Sequence, residues 1–121
     1  MKIRWFVLVL LFALDAGAAR APAILVVGDS LSAGYGIELR DGWVALLQQR
    51  LTQQGYLHTV VNASISGDTT AGGRARLPDA LKRHRPQIVI LELGGNDGLR
   101  GLSLRETRAN LDAMIKAAQT A

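Results

Sequence analysis

The sequence predicts an α/β protein: a parallel sheet between layers of helices, a three-layer α/β/α arrangement. Three observations carry this expectation. Short apolar runs at residues 24–27, 59–61 and 88–93 read as strands. Helical periodicity follows each run, and alternation of strand and helix implies parallel strands joined by crossover helices. Finally, each apolar run leads into a short stretch rich in Gly, Ser, Asn and Asp, at the position where open α/β sheets place their ligands.

Taken in order, residues 24–27 form the first strand. Trp43, Leu46, Leu47, Arg50 and Leu51 recur at helical spacing, with Gly55 as a stop. Residues 59–61 are β-branched and apolar and form the second strand. Residues 70–83 are helical, weakened by Gly72, Gly73 and Pro78, and the helix ends before Pro86. Residues 88–93 form the third strand; the consecutive apolar positions Ile88-Val89-Ile90-Leu91 lead us to expect cover on both faces and a central place in the sheet. Ser103-Leu104-Arg105-Glu106 is a capping box opening a helix with Leu104, Leu111, Met114, Ile115 and Ala118 on its apolar face. A long apolar edge strand is a liability, and the last helix reaches Ala121 without a stop signal. Both features lead us to expect the front part, residues 22–121, of a single longer domain.

Residues 1–18 read as a secretory signal peptide. Lys2 and Arg4 give a positive start, residues 5–14 are apolar, and Ala16-Gly17-Ala18 is a small-residue cleavage pattern. Ten apolar residues are too few for a spanning helix, which needs about 20. Cleavage is placed after Ala18 and no later than Ala21, so the expected location is the periplasm or the medium, with no stable membrane insertion after leader removal. Beyond residue 18 there are 12 basic and 9 acidic residues. The excess sits mostly in Arg74, Arg76, Lys82, Arg83 and Arg85, with no interleaved aromatic residue, and reads as a solvated helix face rather than a nucleic-acid surface. The chain has no cysteine, which excludes disulfides, a thiol nucleophile and thiolate-bound metal.

The three rim stretches are residues 28–34, 62–68 and 94–97. Each has a plain structural explanation. Asp29 or Ser30 could merely cap a helix, Gly67 could be a turn with Asp68 or Thr69 capping the next helix, and Asn96 could form an Asx-turn. Together, in this order and at equivalent positions, they point to chemistry: a serine hydroxyl beside a glycine N–H and an asparagine amide, the minimum for acyl transfer. The only histidines, His58 and His84, both precede strands and read as surface residues at the opposite rim. Asp68 and Asp97 lie near the site but make no triad without a histidine.

Gly28-Asp29-Ser30-Leu31-Ser32-Ala33-Gly34, Val61-Asn62-Ala63-Ser64-Ile65-Ser66-Gly67-Asp68-Thr69, Ala75-Arg76-Leu77-Pro78 and the run from Glu92 through Gly94-Gly95-Asn96-Asp97 to Gly101 resemble the SGNH hydrolases with the GDSL motif. The likeness runs from about Ile24 onward and is nearest to the secreted thioesterase I, lysophospholipase and arylesterase group. With the alternation of elements, the resemblance implies a flavodoxin-like sheet in the strand order 2-1-3, with Ser30 as nucleophile and the Ser30 N–H, Gly67 N–H and Asn96 side chain as oxyanion hole, supported by Asp29 and Asp97. It implies a small ester, thioester or lysolipid substrate, with no cofactor, no metal and no nucleic-acid partner. The family's Asp-x-x-His element, which supplies the base, is absent from these 121 residues.

A competing reading is a flavodoxin-like module that holds a lipid or small ligand without turning it over. Nucleotide binding is disfavoured: the first loop lacks Gly-x-Gly-x-x-Gly and Gly-Lys-Ser/Thr, and the second strand ends at Asn62 rather than an acid. A third is a truncated, marginally folded product without activity. Export with cleavage predicts that mass spectrometry of the exported protein finds an N-terminus between Ala19 and Pro22. Retention of Met1 in the soluble fraction is the contrary result.

Overall fold

The computed structural model describes residues 20–121, and the signal-peptide reading therefore lies outside the described residues. Three strands form a parallel sheet in the order β2-β1-β3: β1 is Ala23–Gly28, β2 is Thr59–Asn62 and β3 is Ile88–Glu92. Leu25 faces Val61 on one side and Val89 on the other, so β1 is paired along both edges. It is also covered on both faces. Side chains alternate along a strand. Leu25 and Val27 join Leu77, Leu81 and Met114 in the core on one face, packed by α3 (Thr70–His84) and α5 (Leu104–Thr120). Ile24 and Val26 are buried on the other, the side of α2 (Trp43–Gln53), whose Val44 is also buried.

This is the expected order, 2-1-3, but the expected cover on both faces of β3 is incomplete among the described residues. The most buried strand is β1, whereas β3 is an edge among the described residues, half-buried from Val89 onward and with Ile88 exposed. Consecutive apolar residues mark a strand that can be covered twice; they do not say which strand receives the cover. The face of α5 is also rotated from the expected one. Leu111, Met114 and Ala117 meet the core, while Leu104 and Ile115 are exposed. Ile115 and Ala118 instead line, with Val89 and Leu91, a groove of about 640 Å³ beside β3.

Helix ends follow local rules. Thr69 caps α3 by accepting from the Gly72 N–H at 3.3 Å, and Ser103 caps α5 by accepting from the Glu106 N–H at 3.4 Å. Pro78 sits inside α3 without ending it. Gly73 is required there for packing, because a Cβ would collide with the side chain of Leu93. The outer edge of β2 is closed by one side chain. Gln48 of α2 donates through Nε2 to the His58 carbonyl at 3.1 Å and accepts from the Val60 N–H at 2.7 Å. Its amide thus occupies the place of a neighbouring strand. No helix of the described residues is long and apolar enough to cross a membrane.

Arg85, the C-cap of α3, is the one described non-glycine residue with positive φ, at 43°. A side chain in the left-handed region costs roughly 1–2 kcal/mol, partly offset by the chain entropy a glycine would lose. Arg85→Gly is therefore expected to stabilise the fold by about 0.5–1 kcal/mol, read as a raised urea midpoint at unchanged slope.

Candidate active site

The parallel register brings the carboxyl ends of all three strands to one rim. Gly28 of β1 stands opposite Glu92 of β3, and Val26 opposite Asn62 of β2. Each strand then releases its polar stretch. After β1 the chain forms a single helical turn, α1 (Ser30–Ala33). Asp29 is its cap, accepting from the Leu31 N–H at 3.0 Å, and Gly34 closes it at φ 78°. Ser30 is the first residue of that turn and half-buried. After β2 comes a turn with Gly67 at φ 81°, in the left-handed region that favours glycine. After β3, Gly94 at φ 119° starts a second short turn, α4 (Gly95–Leu99), which carries Asn96 and Asp97.

Asn96 joins the three segments. Its Nδ2 donates to Asp29 Oδ2 at 3.2 Å and to the Asp68 carbonyl at 2.9 Å. The amide therefore touches the residue before Ser30 and the residue after Gly67. The helix-cap explanation for Asp29 holds as well: one carboxylate oxygen caps α1 and the other receives Asn96. Arg100 lies over the Gly67 loop and donates to the Gly67 carbonyl at 2.7 Å.

Beneath the rim lies a layer the sequence reading did not single out. Ser32, buried, donates to Glu92 Oε2 at 2.7 Å and accepts from Trp43 Nε1 at 3.2 Å. The same Glu92 oxygen receives the Asp29 N–H at 3.4 Å. Gly28 must lack a side chain here, because a Cβ would stand 2.6 Å from Ser32 Oγ and 2.8 Å from Glu92 Oε2. Glu92 and Ser32 do lie within the stretches shared with the family, and a carboxylate ending an apolar strand was the available signal.

Asp97 is buried and serves the scaffold. Its carboxylate accepts from Thr70 N–H at 2.9 Å, from Thr70 Oγ1 at 2.5 Å and from Thr107 Oγ1 at 3.2 Å. Burial by itself pushes its pKa up. The bonds from the Thr70 hydroxyl and N–H and from Thr107 outweigh it and hold the group below its ordinary value. Asp97 thereby pins α4 to the starts of α3 and α5, and Asn96 with it.

Two sequence expectations are corrected. The basic residues of α3 are not all on a solvated face. Arg76 turns inward, with its Nε 2.8 Å from Asp68 Oδ2. The histidines are half-buried rather than on the surface: His58 Nδ1 is buried without a partner, and its ring meets Tyr56 edge-on at 6.3 Å. Both remain at the amino ends of β2 and β3, away from Ser30, as expected from their order in the chain.

A parallel α/β/α sheet with these three stretches on its carboxyl rim is the architecture of the SGNH hydrolases. The chain belongs to the GDSL-like lipase/acylhydrolase family, whose model matches residues 26–121. It is similar to the esterase TesA of Pseudomonas aeruginosa, at 55% identity over 101 residues, covering 84% of this chain and 50% of that protein. It is also similar to the thioesterase 1/protease 1/lysophospholipase L1 of Escherichia coli K12, at 47% identity over 104 residues, covering 86% of this chain and 49% of that protein. A crystal structure of TesA superposes with a TM-score of 0.80 at 55% identity, covering 81% of this chain and 54% of that one. The chain spans about half the length of the curated relatives it matches.

Replacing Asp97 by Asn puts an amide donor where three hydrogen bonds are accepted. Asp97→Asn is expected to cost about 2–3 kcal/mol at neutral pH. Because the folded pKa is lowered, the carboxylate's contribution is complete above about pH 4 and is lost as the pH falls through the folded value. Urea titrations should show the gap between wild type and variant narrowing below about pH 4.

Proposed function

We propose that this chain supplies the nucleophile and oxyanion hole of a serine hydrolase acting on carboxylic esters and thioesters, the lysolipid and acyl-CoA types included. The observation that carries the reading is the Asn96 amide held at 3.2 Å and 2.9 Å between the segments bearing Ser30 and Gly67. Membership of the family and the printed activities of the relatives support it.

In this reading the Ser30 hydroxyl attacks the acyl carbon. The Oγ–C bond forms, the carbonyl electron pair moves onto oxygen, and a general base takes the hydroxyl proton. The Ser30 N–H, the Gly67 N–H and Asn96 Nδ2 receive the oxyanion. Both Asn96 hydrogens are engaged in the structure described, so substrate must take one over; the longer bond, to Asp29, is the one to yield. Collapse expels an alkoxide or thiolate, which leaves with the proton from the base. Water then hydrolyses acyl-Ser30 by the same steps.

The base is the group these residues do not provide. His58 and His84 stand at the amino ends of strands, and six residues of strand, the length of β1, span roughly 20 Å. A serine without a base is a weak nucleophile. The 121 residues alone are therefore nearly inactive, retaining at most the roughly 10³–10⁴-fold rate over water that an oxyanion hole and binding leave behind. Export to the periplasm or medium fits the leader and remains part of the proposal.

A p-nitrophenyl ester assay tests this on the purified chain and on one extended by a homologous segment carrying Asp-x-x-His. The extended form should hydrolyse the ester, Ser30→Ala should abolish turnover, and Asn96→Ala should lower kcat about 10²–10³-fold. Full activity in the short chain, lost in Ser30→Ala, would mean that a base lies within these residues. An inactive extended form would overturn the catalytic reading in favour of a binding module.

A further inference from the structure

We propose that Arg76 is a positioning residue for the reaction assigned to Ser30, fixing the oxyanion-hole loop against the strand that presents the nucleophile. The inference rests on the reading above and names a residue which that reading does not use.

Arg76 lies in the second turn of α3, among basic neighbours that all point outward: Arg74, Lys82, Arg83 and Arg85 are exposed. Its own side chain is turned in, with 23% of its surface accessible against 12% for Asp68. The guanidinium spreads its donors over three points of the rim, two on the loop after β2 and one at the end of β1. Nε donates to Asp68 Oδ2 at 2.8 Å, just beyond Gly67. Nη1 donates to the Ala63 carbonyl, just beyond β2. Nη2 donates to the Gly28 carbonyl at 3.3 Å, two residues before Ser30.

The geometry links this fork to the oxyanion donors through a single residue. Arg76 grips the Asp68 side chain, and the Asp68 carbonyl receives Asn96 Nδ2. Residues 63–69 contain no strand or helix, only the turn at Ser66–Gly67. A loop of this kind needs outside anchors if its N–H is to point at one place. Arg100 supplies an exposed one at the Gly67 carbonyl; the start of the loop is tied to the end of β1 by the Ile65 N–H at 3.0 Å and by Ser64 Oγ at 3.1 Å, and Arg76 extends that tie from Gly28 to Asp68, beside the oxyanion donors. A planar fork with several fixed donors does this and a lysine ammonium does not, because a lysine is a point charge on a flexible stem. Placement errors of about 1 Å in such a site cost about 10²-fold in rate.

An arginine that merely steadies the fold would show its loss in stability and leave turnover per folded molecule unchanged. The test is Arg76→Lys, with Arg83→Lys, exposed on the same helix, as control. Kinetics use whichever form of the protein turns over p-nitrophenyl ester in the assay above, with the folded fraction fixed by thermal unfolding. Arg76→Lys is expected to lower kcat about 10²-fold with KM changed less than about threefold, while Arg83→Lys matches wild type. On the 121-residue chain, NMR of the Asn96 side-chain amide reads the linkage without catalysis. Its protons should exchange at least about tenfold faster in Arg76→Lys. If Arg76→Lys does not fold, Asp68→Asn, which weakens the grip of the guanidinium but keeps the carbonyl facing Asn96, is expected to give both changes. A kcat within about threefold of wild type, a loss confined to KM, or an unaltered Asn96 amide would overturn the proposal. Ser30→Ala decides the catalytic reading separately. If that variant kept full activity, the reading of the reaction would fall, and the Asn96 exchange rates would still decide whether Arg76 holds the loop.

Discussion

Gly28 is the point to which every part of the rim is referred. Its N–H donates to Ser64 Oγ at 3.1 Å, and its carbonyl accepts from the Ile65 N–H at 3.0 Å and from Arg76 at 3.3 Å. The space a side chain would fill is taken by Ser32 and Glu92. One residue at the end of the most buried strand thus meets the loop after β2, the end of β3, and helices α1 and α3. A backbone that accepts bonds from so many directions has little freedom left, and Ser30 begins two residues later. Rigid elements hold functional groups more accurately than loops do, and here the loops borrow the rigidity of β1 through Gly28.

The same economy governs the polar interior. The rim and the helix starts behind it contain buried or half-buried carboxylates from Asp29, Asp68, Glu92 and Asp97, and each receives hydrogen bonds from a different segment. A buried carboxylate without donors is costly, and the same group with two or three donors is a rigid joint. The carboxylates therefore do for the loops what Leu25, Val27, Leu77 and Met114 do for the sheet. Apolar contacts hold layers together without fixing directions; the carboxylates fix them.

Much of this was legible in the sequence. The strands at residues 24–27 and 59–61 lie within the observed ones, and their order, the helices from Trp43, Thr70 and Leu104, and the three rim stretches follow from alternation, caps and glycines. What was not legible has a common cause. Ser32 and Glu92 lie 60 residues apart, and Arg76 and Gly28 lie 48 apart. Periodicity reports which face of an element is apolar, but carries no record of a polar side chain's distant partner. Arg76 looked like its neighbours because five basic residues in and at the end of one helix give the same composition whether all are solvated or one is turned in. The α5 face was misjudged for a related reason. A helix with apolar residues on more than half its circumference can seat several ways, and the tight approach of α3 at Gly73, against Leu93 and Met114, selects one.

The Gln48 amide on β2 gives the sheet a direction of growth. Because the outer His58 carbonyl and Val60 N–H are already satisfied, another strand approaching from that side finds few groups to pair with. Among the described residues β3 carries no equivalent side-chain amide across its outer edge, and Ile88 and Ile115 are exposed beside it. The sheet is thus polarised like a one-ended template. A strand added to this sheet would find open backbone groups along β3, on the side away from β2 and next to the strand that ends in Glu92.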